Sequence, residues 1–402
     1  MLLFDSHVHV GNFNAILNDE TKSLLGYKEY SKNTAENCVK KAIANSVSKM
    51  VIFPFPLMEH SFEQQNDYVL KCVLKYPHIF IPFVLPAQRG YLDEHCNSFW
   101  GIKDHFYFDF HSQVNRDEIL QFAEDNNKVY LFHAHWKHWG ERITHICKSY
   151  PRLRVIVAHS ARIAPFESNQ LSSRILELQH WIPLKLRENF YFETSTIRNS
   201  ESIELLVQAF GAEHVLWGSD FPYYSQHNEN IFQSEMSIIN DSNLNESEKE
   251  RIFSKNFRTL FQRNIWVRQA VPSDKDAILN IINSISAEEK KYLALSLKLS
   301  LIRQLVKTGK HILIAEDENG VIMGFLRSSD RHNKTVMIEE VYVSPEYRKK
   351  KIATLLIQSI LSMYEHAEVK TFASNTKMNK LLDNFHFTPH YSPKGTMISW
   401  KM

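Results

Sequence analysis

The sequence predicts an α/β protein with two parts, a parallel β/α barrel over residues 1–262 and a smaller α/β domain over residues 265–402. Through the first part, short apolar runs rich in β-branched and aromatic residues alternate with amphipathic helical stretches. After residue 264 the pattern restarts with a strand, a turn and an amphipathic helix. A length of 402 residues suits two domains better than one.

Composition indicates an ordinary globular protein, with 44% hydrophobic and 23% charged residues. A formal net charge of +2 argues against a general polyanion binder, so we expect no nucleic-acid partner. The most apolar segments, 51–58 and 79–87, contain proline and are far shorter than the ~20 residues of a membrane span. We therefore expect no membrane association. The oligomeric state stays open, and a homodimer is one option.

The termini and cysteines favour a cytoplasmic location. Asp5, His7 and His9 interrupt the first ten residues, where a secretory signal would need a clean apolar stretch. The four cysteines are widely spaced without a CxxC pair, which indicates neither a disulfide framework nor a structural zinc site.

Eight strand candidates occur in the first part, at residues 2–10, 49–57, 80–86, 99–106, 128–135, 154–160, 189–195 and 214–220. Helical patterns lie between them, including 34–46, 64–77, 116–127 and 202–211. Asn245 with Glu248 three residues later has the spacing of a capping box at the start of a last helix. Eight βα units predict a TIM-type (β/α)8 barrel, whose active site lies at the carboxyl ends of its strands.

Residues able to bind or serve a metal recur at or near the ends of these runs: His7, His9, Lys103, His133, His159 and Asp220. Side chains alternate faces along a strand, so His7 and His9, two residues apart, point the same way and can bind one ion. A single histidine would be read as a core or surface residue. Repetition over more than 200 residues favours a metal site.

These motifs resemble the amidohydrolase superfamily: HVH at 7–9, GIKDH at 101–105, His133, His159, GSDFP at 218–222 and NFRTLF at 256–261. The resemblance implies a divalent metal held by His7, His9 and Asp220, with His133 joining in the mononuclear version. Zinc is the leading candidate, and manganese or iron could substitute.

By the same resemblance, the metal would activate water to attack a carbonyl. Asp220 would accept the proton and pass it to the leaving group, and His159 would bind a second ion or donate to the substrate oxyanion. Lys103 would be carboxylated and bridge two metals in a binuclear member, or else form a structural salt bridge. Arg162 and the segment 136–139 could contact an anionic or aromatic substrate, or simply lie in surface loops.

The second part contains a strand, a proline-marked loop and a helix over residues 336–364. A loop that opens a helix presents free backbone N–H groups to a pyrophosphate. Residues 342–356 resemble the pyrophosphate signature of the GNAT acetyltransferases, with Arg348 and Ala353 in place and Lys351 where glycine is usual. The resemblance implies acetyl-CoA bound by Val341, Val343, Arg348, Lys349, Lys350, Lys351, Ile352, Ala353 and Asn375.

Two further departures lie in residues 375–387, where Leu382 and His386 replace a usual tyrosine acid and a usual glycine. Glu339 or Glu340, with Glu340 preferred, could deprotonate an amine through water, although a solvated strand face is the alternative reading.

Together the two parts predict a bifunctional enzyme for small molecules. The barrel would hydrolyse an amide or ester, and the second domain would transfer an acetyl group from acetyl-CoA to a small amine. Two alternatives stay open: a decarboxylase (lyase) barrel, and a second domain that binds coenzyme A without catalysis.

Overall fold

The computed structural model describes residues 2–14, 30–57, 59–105, 115–133, 139–162, 168–223, 230–261, 265–290, 292, 311–317, 319–361, 363–393 and 395–402. The chain forms two compact units, one of Met1–Val73 with Ile79–Gln262 and one of Leu74–His78 with Arg263–Met402.

In the described part of the first unit, eight parallel strands follow one another in chain order around a nearly closed barrel. They are β1 Leu3–His9, β2 Val47–Phe53, β3 Phe80–Val84, β4 Gly101–Asp104, β5 Val129–Phe132, β6 Arg154–Val157, β7 Phe190–Glu193 and β8 Val215–Leu216. Each overlaps one of the eight strands expected from the sequence, which confirms the (β/α)8 fold.

The barrel is completed by the segment after β8 rather than by β8 itself, which has only two residues. The Ser6 N–H donates to Trp217 O (3.0 Å) and the His9 N–H donates to Phe221 O (2.8 Å). Val8 and Phe221 form a parallel bridge. This pairing places Asp220 directly beside the two histidines of β1.

The described α-helices of this unit are α1 Ala35–Ala44, α2 Phe62–Lys75, α3 Arg89–Glu94, α4 Arg116–Asp125, α5 Trp139–Ser149, α6 Ser168–Trp181, α7 Ser200–Phe210, α8 Ile231–Asn240, α9 Glu246–Glu250 and α10 Asn256–Phe261. Side-chain caps fix several starts, since Thr34, Asn115 and Asn199 accept backbone N–H groups of α1, α4 and α7. The expected capping box of Asn245 and Glu248 opens α9.

The second unit is built on a mixed seven-stranded sheet in the order β14-β15-β13-β12-β11-β10-β9. Its strands are β9 Trp266–Gln269, β10 Ile312–Glu316, β11 Ile322–Asp330, β12 Thr335–Val343, β13 His366–Phe372, β14 Thr388–Tyr391 and β15 Met397–Lys401. Its described helices are α11 Lys275–Ser284, α12 Ala287–Lys290, α13 Ile352–Leu361 and α14 Thr376–Asn384. Buried residues of α13, among them Leu356 and Ile360, pack in one core with strand residues such as Val336 and Val369.

The described helices differ from a membrane-spanning helix, which needs ~20 predominantly apolar residues. Not one of them combines the length and the apolar character needed to cross a bilayer.

Candidate metal centre and second-domain cleft

The first candidate site joins β1 to the segment after β8. His7 and His9 are buried, as is Asp220. The Nε2 atoms of His7 and His9 each lie 3.3 Å from Asp220 Oδ1. One ligand atom from each of the three residues falls within 4.8 Å of the others. Two imidazoles and one carboxylate at this spacing form a donor set suited to a catalytic divalent metal.

The protonation of these histidines suits metal binding. Burial lowers the pKa of His7 well below its usual range, and the nearby Lys103 lowers the pKa further. For His9, burial is again the largest cause of a lowered pKa, followed by His7 and Lys103. Both rings are therefore neutral at ordinary pH, and only neutral imidazole has a lone pair for a metal.

Three further histidines, His105, His133 and His159, lie near this pair, at or just after the ends of β4, β5 and β6. Ring centroids are 4.8 Å apart for His7 and His159, 4.8 Å for His133 and His159, and 4.5 Å for His105 and His133. The structure thus brings together the predicted His133 and His159 with the β1 pair. His105 had no predicted role, although it belongs to the GIKDH motif.

Lys103 is fully buried on β4, with Nζ 5.0 Å from the centre of the Phe53 ring. Its carboxylation remains a prediction. The neighbouring Asp104, unexpected beside the family pattern, accepts from Arg116 Nε (2.9 Å) and from the Tyr130 hydroxyl. Successive strand residues face opposite ways, so Asp104 belongs to a partly buried ion pair on the other face from Lys103.

Four polar residues behind the site were not predicted: Asp5, Glu193, Ser195 and Ser219. Asp5 Oδ1 accepts from the backbone N–H groups of His7 (3.0 Å) and Ser219 (3.0 Å). Asp5 Oδ2 accepts from Ser219 Oγ (2.6 Å). Burial raises the pKa of Asp5 to about 7, against these hydrogen bonds. Asp5 therefore ties β1 to the turn that carries Asp220. The sequence signal that could have pointed to Asp5 is a carboxylate within an otherwise apolar strand.

Backbone conformation at the site is unusual. Asp220 has φ +55°, and His159, Ser160 and Ala161 have φ between +44° and +57°. Left-handed conformations cost non-glycine residues roughly 1–3 kcal/mol and cluster at functional sites. The fold holds both predicted catalytic residues of the barrel in this way.

An aromatic cluster adjoins the histidines. The Tyr30 and Phe55 rings stack at 4.4 Å, and the Tyr223 ring is parallel to Tyr30 at 6.3 Å. The rings of Tyr30 and His9 are 4.5 Å apart. The segment 134–138, which includes most of the predicted contact segment 136–139, lies outside the described residues, as does the side chain of Arg162.

The second site is a cleft between β12 and β13. These parallel strands pair only from Thr335 with His366 to Ile338 with Val369. Beyond that point β13 pairs with β15 up to Phe372, while β12 continues along β11. The divergence opens a cavity of about 730 Å³. Among its lining residues are the predicted Glu340, Val341, Val343, Arg348, Ala353 and Asn375.

The residues that line the cleft do not include the predicted Lys349, Lys350, Lys351 and Ile352. Lys349, Lys350 and Lys351 form the turn before α13, and the side chain of Ile352 is buried in the core. Lys351 has φ +61° and His386 has φ +62°. The two residues that replace usual glycines therefore keep the left-handed conformation that glycine favours.

Two charged residues of the cleft, Arg348 and Glu340, form ion pairs. Arg348 Nη1 lies 2.8 Å from Glu289 Oε1, and Arg348 Nε donates to Val343 O (3.0 Å). Glu340 accepts from Arg327 through both carboxylate oxygens, one of them at 2.6 Å from Nη2. Burial raises the pKa of Glu340 above its usual value, while Arg327 opposes the shift. Asn375 Oδ1 caps α14 by accepting from the Met378 N–H (3.3 Å).

Two family models match parts of the chain. The family model described as amidohydrolase matches residues 44–263, more than half of the 402 residues. The chain therefore belongs to the amidohydrolase family. A second model, the acetyltransferase (GNAT) family, matches residues 278–387. Both families consist of enzymes; the first generally binds a divalent metal and the second binds acetyl-CoA.

Solved structures resemble the barrel. A probable 2-pyrone-4,6-dicarboxylic acid hydrolase from Acinetobacter baumannii is 14% identical, covers 65% of this chain and 100% of its own, and has a TM-score of 0.52. A 2,6-dihydroxybenzoate decarboxylase from Rhizobium is 16% identical, covers 65% and 99%, and has a TM-score of 0.48. The first similarity supports the fold. A search of curated proteins found no match.

Proposed function

We propose that the barrel is a metal-dependent hydrolase of an amide or ester, with His7, His9 and Asp220 as metal ligands and His133 as a further one. The observation that carries this proposal is the convergence of two Nε2 atoms on Asp220 Oδ1 at 3.3 Å each. The buried Nε2 of His7 makes no hydrogen bond within the described part of the chain. A buried nitrogen without a hydrogen bond destabilises the folded protein unless a ligand or ion binds to it.

Zinc is the metal we propose first, because neutral imidazoles with one carboxylate suit it; manganese and iron accept the same donors. When bound, such a metal supplies Lewis-acid activation of water and of the substrate carbonyl. Lys103 would bridge a second ion if carboxylated. His159 lies close enough to His7 and His133 to act on the same substrate.

Asp220 is the proton carrier in this proposal. Its Oδ1 faces the two histidines, and the residue before it, Ser219, donates its backbone N–H to Asp5. A carboxylate in this position takes a proton from the attacking water and returns it to the leaving amine or alcohol. Proton transfer of this kind is worth about 10² to 10⁴ in rate.

For the second domain we propose transfer of an acetyl group from acetyl-CoA to a small amine. The amine nitrogen forms a bond to the thioester carbonyl carbon, the C–S bond breaks, and coenzyme A leaves as a thiolate. The amine proton passes through water to Glu340, which lines the cleft. The left-handed turn at Lys351 and the start of α13 would present backbone N–H groups to the pyrophosphate.

The test of the barrel is turnover of N-acyl and O-acyl substrates by zinc-loaded protein, chelator-stripped protein and Asp220→Asn. Metal-dependent release of an amine or alcohol is expected. Release of CO2 from carboxylated substrates without hydrolysis would instead establish the lyase alternative.

The test of the second domain is acetyl transfer from acetyl-CoA to a broad amine panel. Binding of acetyl-CoA without transfer would make the domain a coenzyme-binding module. We also propose that residues 265–402 form an independent domain, because a fragment of this range contains the whole described seven-stranded sheet. A soluble fragment that binds acetyl-CoA by calorimetry is the expected result.

A further inference from the structure

We infer that Glu193 is the positioning residue of the metal centre: one carboxylate fixes the ring tautomers of both His7 and His159, directly for His7 and through Ser195 for His159. The inference rests on the proposed metal site. It concerns a residue of β7 that no motif of the sequence marked, 186 positions away from His7.

The carboxylate of Glu193 is completely buried and receives four donors. Its Oε2 lies 2.9 Å from His7 Nδ1, 3.0 Å from the backbone N of His159 and 2.9 Å from Ser195 Oγ. Its Oε1 accepts the backbone N–H of Ser195. Two of these donors are backbone amides, whose direction the fold fixes. Glu193 therefore acts as an acceptor only.

The first consequence concerns His7. Since Oε2 only accepts, His7 Nδ1 must carry the ring proton, and Nε2 keeps its lone pair. That Nε2 is the atom 3.3 Å from Asp220 Oδ1. Metal-binding histidines commonly donate their second nitrogen to a carboxylate, which fixes the ring and increases its basicity.

The second consequence concerns His159. Ser195 has one hydroxyl proton, and it is directed to Glu193 Oε2. Ser195 Oγ must then accept from His159 Nδ1, 2.8 Å away. In the neutral ring, Nε2 of His159 then carries no proton. A neutral His159 can therefore bind an ion or accept a proton, but it cannot donate to an oxyanion until it is protonated.

Glu193 also lies near His7 and His159 in a second group of possible ligand atoms within 4.8 Å. We assign it to positioning rather than to ligation, because its lone pairs already receive the four donors. Packing fixes it further: a Cβ placed on Gly218 would lie 2.2 Å from Glu193 Oε1. The glycine of the GSDFP motif thus leaves room for this carboxylate.

The test is zinc affinity of the full-length protein, measured by competition with a chromogenic chelator. Glu193→Gln keeps the shape but presents N–H groups where acceptors are required. We expect affinity to fall 10- to 100-fold, the range found for such supporting residues. We also expect a changed visible spectrum of the cobalt-substituted protein. Glu124→Gln, at a glutamate of α4 whose 6% exposed side chain pairs with Arg152, is the matched control and should bind zinc as wild type does.

The outcomes separate the two proposals. Wild type without zinc affinity would overturn the metal site itself. Zinc-binding wild type together with an unchanged Glu193→Gln affinity and cobalt spectrum would overturn the role of Glu193. If Glu193→Gln does not fold, Ser195→Ala decides, because it removes only the link to His159. A cobalt spectrum of Ser195→Ala identical to wild type would overturn that link.

Discussion

The two sites of this chain are built in opposite ways. In the barrel, the proposed metal site consists of buried side chains that other buried residues hold in place. Asp5 accepts a hydrogen bond from the turn that carries Asp220, and Glu193 hydrogen-bonds to His7. In the second unit, the cleft arises where β12 and β13 separate, and the proposed binding of acetyl-CoA would depend largely on the backbone of β12 and of the turn before α13.

The polar and charged side chains of the two sites also differ in how they are arranged. The neutral imidazoles and Asp220 of the barrel converge on one another, an arrangement that a cation would complete. In the cleft, Arg348 with Glu289 and Arg327 with Glu340 already form complementary pairs. Substitution of single side chains should therefore reduce metal binding by the barrel more than it reduces acetyl-CoA binding by the cleft.

The largest effect is expected for His7→Ala with His9→Ala, which removes two of the three converging ligands. Zinc content of the purified protein, measured by elemental analysis, should fall to background. His145→Ala, at an exposed histidine of α5, should leave the content unchanged. Equal zinc in the double variant and wild type would refute the ligand assignment.

Asp220→Asn should come next, because an amide cannot carry the proton that a carboxylate carries. We expect kcat on an identified substrate to fall by a factor on the order of 10² or more, with the circular dichroism spectrum unchanged. Retention of most of the wild-type kcat would exclude Asp220 from proton transfer.

In the cleft, Arg348→Glu with Lys350→Glu should weaken acetyl-CoA binding at least about tenfold, because charged hydrogen-bond partners contribute about 1.5–3 kcal/mol. The first change also places a carboxylate against Glu289. Calorimetry with acetyl-CoA measures the effect, and Lys380→Glu on the exposed surface of α14 is the control. An affinity equal to wild type would mean that backbone groups alone hold the pyrophosphate.

The sequence predicted the barrel well because the pattern of each strand is local. All eight strands and the capping box of Asn245 were found from periodicity and cap residues. The end of β8 was not predicted correctly, because the chain leaves regular strand pairing at Trp217 and completes the barrel against β1.

The supporting residues could not be predicted for a physical reason. Glu193 contacts His7 across 186 positions, and such a contact follows from barrel closure rather than from any local pattern. Likewise, the pairing of Glu340 with Arg327 depends on the register of β11 and β12. The catalytic role predicted for Glu340 and the ligand roles in the barrel remain predictions.

A smaller effect is expected from Glu235 on α8, whose pKa burial raises from 4.5 to about 9 despite Arg198 Nη1 at 3.3 Å. Between these two values the folded state binds more protons than the unfolded state, so stability falls as pH rises. The melting temperature of metal-free protein should decline from pH 5 to pH 9, and Glu235→Gln should reduce the decline. If the melting temperatures of wild type and Glu235→Gln declined equally from pH 5 to pH 9, the Glu235 carboxyl would be ionised over this whole range.

The smallest expected effect tests the role of the backbone turn at Lys351 in the second domain. Lys351 holds φ +61° where its family has glycine. A left-handed conformation costs a non-glycine residue about 1–2 kcal/mol, and glycine loses roughly 0.5–1 kcal/mol more entropy on folding than alanine does. Lys351→Gly should therefore stabilise the protein by roughly 0.5–1 kcal/mol in urea unfolding.

Lys351→Ala is the matched control for that variant, because it removes the charge and keeps the Cβ. If the backbone of this turn holds the pyrophosphate, Lys351→Gly should bind acetyl-CoA at least as well as Lys351→Ala, since both lack the ammonium group and only glycine relieves the left-handed strain. Equal loss of affinity in both variants, with no gain in stability for glycine, would show that the lysine charge rather than the turn conformation serves the coenzyme.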